Sequence, residues 1–184
     1  MTAGAAAESA VDIRALVLDV DGVLTDGRVY VGSDGSDARA FHVLDGLAIH
    51  WFQELIGGVI LISGKTSSAV AARARELHID DVIQGSHDKL ADLLAVLEPR
   101  RLSTEQVAVV GDDLVDLPIL RRCGYPIAVA NAVDEVKAVA RYVTRRAGGD
   151  GAVREAIEHL LRIGGLWQKV LTRYGAPAGT AEPL

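Results

Sequence analysis

Short runs of β-branched and aliphatic residues alternate along this chain with longer stretches whose apolar residues recur at helical spacing, and few folds accept that alternation. Strands separated by helices return parallel to one another, so the pattern predicts an α/β fold on a mainly parallel sheet. The expected strands are Arg14 to Leu18, Gly58 to Ile62, Asp81 to Ile83, Gln106 to Val110, Pro126 to Val129 and Tyr142 to Thr144. Ser67 to Leu77, Lys89 to Leu97, Leu114 to Cys123, Val133 to Ala140 and Ala152 to Ile163 read as helices. One segment breaks the rhythm. Arg28 to Val31 and Ala38 to Val43 are extended runs separated by the turn-rich GSDGSD, which predicts a β-hairpin beyond the first strand's carboxyl end. The loops that follow are too short to supply a cap domain.

With 184 residues the chain has the length of one domain, and we place it at 13–163. Residues 1–12 read as a flexible amino-terminal segment without the charge and apolar core of a signal peptide, and 164–184 as a carboxyl-terminal extension. From Gly175 that extension is small, Gly/Pro-rich and expected to be mobile, whereas Leu166 to Leu171 is suited to pack on the core or dock on a neighbouring subunit. Lys and Arg number 19 against 25 Asp and Glu, a net charge of −6 that disfavours nucleic acid and anionic membranes as partners. The single cysteine, Cys123, allows neither an internal disulfide nor a thiolate zinc site, and fits a reducing cytoplasm.

Ligands of open α/β sheets bind beyond the carboxyl ends of the strands, and the polar residues concentrate there. The first strand runs into Asp19-Val20-Asp21-Gly22, the second into Ser63-Gly64-Lys65 and the fourth into Gly111-Asp112-Asp113-Leu114-Val115-Asp116, while Lys89 opens the helix after the third. Two residues apart on extended backbone, Asp19 and Asp21 are expected to face one pocket. Crowding Asp112 against them calls for a cation or for protons, and an all-oxygen donor set suits Mg²⁺. The Ser63 hydroxyl, the backbone N–H groups near Gly22 and Gly64, and the Lys89 ammonium are candidate partners of a phosphoryl group. Carboxylates, Mg²⁺ and a phosphate cradle together indicate phosphoryl transfer. The five histidines, His42, His50, His78, His87 and His159, lack metal-ligand spacing.

These residues resemble the haloacid dehalogenase superfamily of aspartate-nucleophile phosphatases. DVDGVLTDG is similar to its first motif, Ser63 of LISGK to its second, Lys89 of SHDKL to its third and GDDLVD to its fourth. AFHVLDGLAI, VIQGSHDKL, VVGDDLVDLPIL and YVTRRAGGDGAVREAIEHLL extend the likeness to the capless branch of the 3-deoxy-D-manno-octulosonate 8-phosphate (KDO 8-phosphate) phosphatases. The resemblance implies a three-layer Rossmann-like sandwich without a cap. It implies Asp19 as nucleophile, Asp21 as acid and base, and Mg²⁺ on the Asp19 carboxylate, the Asp21 carbonyl and the Asp112 carboxylate. Asp113 and Asp116 would support these ligands from behind, and Ser63, Gly64, Lys89 and Gly22 would bind phosphate. It also implies a homotetramer, assembled through the hairpin over 28–43, in which neighbours complete each site.

Departures from the branch pattern bear on substrate. The branch's VRDG is Val43-Leu44-Asp45-Gly46 here, its TGR is Ser63-Gly64-Lys65, and its GGRG is Gly148-Gly149-Asp150-Gly151. An arginine fork that grips a carboxylate is not replaced by lysine or leucine. Lys65, Asp45 and His42 are the candidates to touch a sugar acid. KDO 8-phosphate is the expected substrate, with a nine-carbon ulosonic acid 9-phosphate or another sugar phosphate as the alternative. A non-catalytic tetramerisation module, of the kind fused to nucleotide-sugar synthetases, is a reading of another class. A signalling receiver domain shares the clustered aspartates but places its phosphorylated Asp after the third strand, whereas here the second acidic group follows the fourth.

Overall fold

The computed structural model describes residues 12–176. Six parallel strands form one sheet: β1 (Ala15–Leu18), β4 (Gly58–Ser63), β5 (Asp81–Gln84), β6 (Val107–Gly111), β7 (Tyr125–Ala128) and β8 (Tyr142–Val143). Their order is β5-β4-β1-β6-β7-β8. The chain thus builds outward from β1 through β4 and β5, then crosses to the other side of β1 for β6. That reversal opens a crevice beyond the carboxyl ends of β1 and β6. Leu18 pairs with Leu61 on one side and Val110 on the other, so Asp19 leaves the sheet at its centre.

Strands covered on both faces need continuous apolar sequence, and ALVL of β1 and VAVVG of β6 are buried throughout. The faces are covered by α1 (Val43–Leu55), α2 (Ser68–Glu76), α3 (Lys89–Leu97), α4 (Leu117–Leu120), α5 (Asp134–Val139) and α6 (Ala152–Ile163). The pairing of α1 with α6 and the contacts of α3 with α4 and α4 with α5 form the two outer layers. This is the three-layer sandwich that the sequence predicts.

Two elements differ from expectation. The hairpin ladder is only β2 (Tyr30–Val31) against β3 (Asp37–Ala38), and the run to Val43 is not a strand. The chain turns at His42 into α1, which the strand reading of this segment hides. Asp45, Ala48, Ile49 and Phe52 nevertheless bury one face at helical period. The expected helix from Leu114 to Cys123 is a 3-10 turn, Leu114–Asp116, followed by the single turn of α4. Asp116 turns inward to accept backbone N–H groups, and Pro118 is tolerated only in a first helical turn.

A final helix, α7 (Trp167–Arg173), packs on the core through Trp167 and Val170. Trp167 lies edge-on to Trp51 with ring centroids 5.7 Å apart, and the indole N–H of Trp51 donates to Tyr174 Oη at 3.2 Å. Arg154 stacks on Trp51 at 4.1 Å, and Arg173 pairs with Glu54. The residues expected to form a flexible segment at 1–12 and a mobile tail from Gly175 lie outside the described residues, except for Asp12, Gly175 and Ala176. No helix among the described residues is long and apolar enough to cross a membrane.

Candidate active site

Beyond Leu18 the backbone stays extended at Asp19 and then makes a wide turn over Val20–Leu24, closed by the Thr25 N–H on the Val20 carbonyl. Buried Thr25 organises this turn. Its hydroxyl donates to the Val20 carbonyl at 3.2 Å and accepts from the Gly27 N–H at 3.2 Å and the Gly22 N–H at 3.4 Å. Gly22 has φ +106°, and a Cβ there would stand 2.0 Å from a carboxylate oxygen of Asp112. Only glycine lets the first-strand turn and the fourth motif approach this closely.

Carboxylate oxygens of Asp19, Asp112 and Asp116 lie within 4.8 Å of one another. Lys89, the first residue of α3, reaches into this group and donates from Nζ to Asp19 Oδ1 and Asp116 Oδ1, both at 2.6 Å. Asp88 caps α3 by accepting from the N–H groups of Leu90 and Ala91, which fixes where the lysine emerges. Asp116 is fully buried, and its second oxygen accepts the N–H groups of Asp112 at 3.0 Å and Asp113 at 3.4 Å. It therefore holds both the lysine and the loop that carries Asp112. Asp113 is exposed and accepts from the Leu114 N–H at 2.7 Å, a cap on the 3-10 turn.

The crowding has an electrostatic cost. Burial, then the Asp116 charge, raises the Asp19 pKa to about 6 against the opposing pull of Lys89. Asp112 is raised to about 7, again by burial first and then by Asp19, Asp116 and Asp113. Both carboxylates favour an added positive charge. With Asp116 committed to Lys89 and the backbone, Asp19 and Asp112 are the acidic side chains left to hold one, and oxygen-only donors fit a hard divalent cation.

Asp21 does not join this cluster. The strand ends at Leu18, so the two-residue spacing of extended backbone does not carry through, and the Asp21 carboxylate instead accepts from Arg39 Nε at 2.7 Å. On the other flank Ser63 ends β4 with its hydroxyl buried, accepting the Lys65 N–H at 3.2 Å while its carbonyl accepts the Ser86 N–H. Gly64 and Lys65 are exposed beside it.

Of the candidates for substrate contact, Asp45 is 1% exposed and serves α6 instead. Its Oδ1 accepts the Arg154 N–H at 2.7 Å, capping that helix from α1, and burial raises its pKa to about 6. Half-buried His42 starts α1, and its Nδ1 has no hydrogen-bond partner. His87 is exposed, next to the cap residue Asp88. Leu44 lies on the rim of a cleft of about 420 Å³ also lined by Arg145, Arg146, Arg154, Glu155 and Glu158.

Two residues of the site escape a reading of the sequence. Asn131 donates to the Gly22 carbonyl at 3.0 Å and accepts the Gly148 N–H at 2.7 Å, stitching the first-strand turn to the Gly148-Gly149 loop. A Cβ on Gly148 would stand 1.7 Å from the Gly22 carbonyl oxygen. Arg39 is the other. A single Asn or Arg in a loop carries no pattern, and only tertiary structure brings either to the site.

A family model described as haloacid dehalogenase-like hydrolase matches residues 62–157. The chain is 43% identical over 150 residues to the 3-deoxy-D-manno-octulosonate 8-phosphate phosphatase of Escherichia coli, covering 82% of this chain and 80% of that protein. The crystal structure of the Moraxella catarrhalis 3-deoxy-D-manno-octulosonate 8-phosphate phosphatase, in complex with magnesium ion, phosphate ion and KDO, aligns with a TM-score of 0.87 at 35% identity. That alignment covers 90% of this chain and 95% of the other. The cobalt-bound enzyme of the same kind from Haemophilus influenzae aligns at 0.84 with 34% identity, over 89% and 96%.

Proposed function

Because the chain belongs to the haloacid dehalogenase-like hydrolases, we propose that it is a Mg²⁺-dependent phosphomonoesterase that releases phosphate from KDO 8-phosphate by way of an aspartyl-phosphate. The observation that carries this reading is the Asp19–Lys89–Asp116 network set against Asp112: a buried nucleophilic carboxylate, one fixed cation and a second carboxylate at a sheet crevice. The magnesium in the Moraxella enzyme and the oxygen-only donors here support Mg²⁺ on the Asp19 and Asp112 carboxylates, and the family resemblance adds the Asp21 carbonyl as a further ligand. Bound there, it would offset the anionic charge of the phosphoryl group.

An Asp19 oxygen attacks phosphorus, and the bond from phosphorus to the ester oxygen breaks as that oxygen takes a proton from Asp21. Asp21, now ionised, takes a proton from water, whose oxygen attacks the aspartyl-phosphate and frees Asp19 and phosphate. Ser63, the N–H groups of Gly64 and Gly22, and Lys89 stabilise the phosphoryl oxygens. Asp116 keeps Lys89 in place, and Asp113 supports the turn behind Asp112. The cytoplasm, where the single thiol Cys123 stays reduced, is the compartment we assign.

The arginines of the branch pattern are absent at Leu44 and Asp150, yet Arg145, Arg146 and Arg154 line the cleft beside Leu44. Glu155 and Glu158 pair with Arg145 and Arg154, while Arg146 donates to the Asp150 carbonyl. Of the three, Arg146 is exposed and has no ion pair among the described residues, so it is the guanidinium we propose for a sugar-acid carboxylate, which favours KDO 8-phosphate over neutral sugar phosphates. Phosphate release with Mg²⁺ should be fastest on KDO 8-phosphate, slower on nine-carbon acid 9-phosphates and neutral hexose phosphates, and abolished by chelation. Preference for a phosphate without a sugar-acid carboxylate would overturn the substrate, and no turnover on any phosphoester would favour the assembly module.

The assembly we propose is a homotetramer built through the hairpin. Tyr30 and Val31 on the hairpin are 57% and 74% exposed, and Leu114 and Val115 present further apolar surface at the same end of the sheet. Light scattering should give the mass of four chains, and a fully active monomer would contradict a shared site.

A further inference from the structure

The hairpin also sends a side chain inward. Arg39 follows β3 directly, between the exposed Ala38 and Ala40, yet its guanidinium side chain is 2% exposed. Burying a guanidinium is costly unless its donors are met, and here three acceptors meet them. Nε donates to Asp21 Oδ1 at 2.7 Å, and Nη1 donates to Ser67 Oγ at 2.6 Å and to Asp37. The far partners are themselves anchored. Ser67 donates to Asp37 at 2.7 Å, caps α2 by accepting the Val70 N–H, and gives its own N–H to Gln84 at the end of β5 at 2.6 Å. Arg39 is therefore a strut between the α2 amino terminus and the Asp21 carboxylate, which stands outside the Lys89 cluster.

We propose that Arg39 is a positioning residue for proton transfer by Asp21. Its single contact fixes one carboxylate oxygen, Oδ1, and leaves the other to exchange a proton with the ester oxygen or with water. Asp21 sits in a turn, at φ −79° and ψ 102°, where an untethered carboxylate would spread over several rotamers. The strut gives the hairpin a catalytic consequence in addition to any role in assembly: a displaced hairpin moves the acid. The inference rests on the phosphatase reading, with Asp21 as acid and base.

The test compares two phosphomonoesters that differ in how much their leaving groups need a proton. An alkyl ester such as KDO 8-phosphate departs as an alkoxide unless protonated, whereas p-nitrophenyl phosphate departs as a stable phenolate. In kcat/KM, which covers the steps up to departure of the alcohol, Arg39→Met should lose about 10²-fold on the alkyl ester and under about 3-fold on the aryl ester. Arg39→Lys, which restores a donor, should recover part of the alkyl loss. In an Asp21→Asn background, Arg39→Met should lower the remaining alkyl turnover by under about 3-fold, because the two residues act as one unit. Equal losses on both esters, or an undiminished alkyl rate, would overturn the role. If Arg39→Met does not fold, Asp37→Asn loosens the strut while keeping the guanidinium and should show the same split between esters. A wild-type protein that hydrolyses neither ester would instead refute the phosphatase reading itself.

Discussion

Replacing Asp19 by Asn should reduce phosphate release from every phosphomonoester by roughly 10⁴-fold or more while leaving the fold intact or firmer. The amide keeps the shape and an oxygen that accepts from Lys89, but it cannot form the acyl-phosphate bond on which both half-reactions depend. Stability should move the other way. Asp19 has a folded pKa of about 6 against an ordinary value of 3.8, so its contribution to stability is present below pH 3.8 and is lost as pH rises through 6. At pH 7 to 8 the metal-free wild type carries that penalty and the Asn variant does not, a difference of about 1–3 kcal/mol in favour of the variant. Urea unfolding of both proteins in chelator at pH 5 and pH 8 checks the sign. The variant's advantage should appear at pH 8 and shrink at pH 5. An inactive variant that is also less stable at pH 8 would point to a structural carboxylate.

What the chain reveals before folding divides along a physical line. Asp19, Ser63 and Asp112 lie at or just past the ends of buried parallel strands, and Lys89 starts a helix, so the strand rule alone assembles them. Asp116 was legible as a supporting residue, but its grip on Lys89 is a contact across 27 residues that spacing does not encode. Asp21 shows the limit of the period-2 argument. Strand geometry stops at Leu18, and beyond it a turn decides where the carboxylate points. Arg39 and Asn131 were not legible, because a loop residue's partner depends on how layers pack rather than on its neighbours. The same holds for α1, whose helical period over Asp45, Ala48, Ile49 and Phe52 was masked by the extended run leading into it.

The second large effect belongs to Lys89. Its buried ammonium would be pushed down by desolvation, but the Asp19 and Asp116 charges outweigh that, and its pKa is raised above 10.5. A raised lysine stabilises the fold fully below its unfolded pKa and loses that contribution only as pH climbs through the folded one, so at neutral pH the network is at full strength. Lys89→Met leaves two buried carboxylates facing each other, and removing one partner of a buried pair costs about 3–5 kcal/mol. Protonation can relieve the survivors, because burial already raises Asp19 with the lysine present. The deficit of the variant should therefore be small near pH 5 and widen toward pH 8 in urea unfolding, and an equal deficit at both would refute the network. Phosphatase turnover should fall roughly 10²–10³-fold, the loss expected when one fixed donor to the phosphoryl oxygens is removed. Adding Asp116→Asn to Lys89→Met separates the two roles. The Asn oxygen can still accept the Asp112 N–H, one unpaired charge is gone, and stability should return toward wild type. Activity should not return, because the lost ammonium is needed where negative charge develops during transfer.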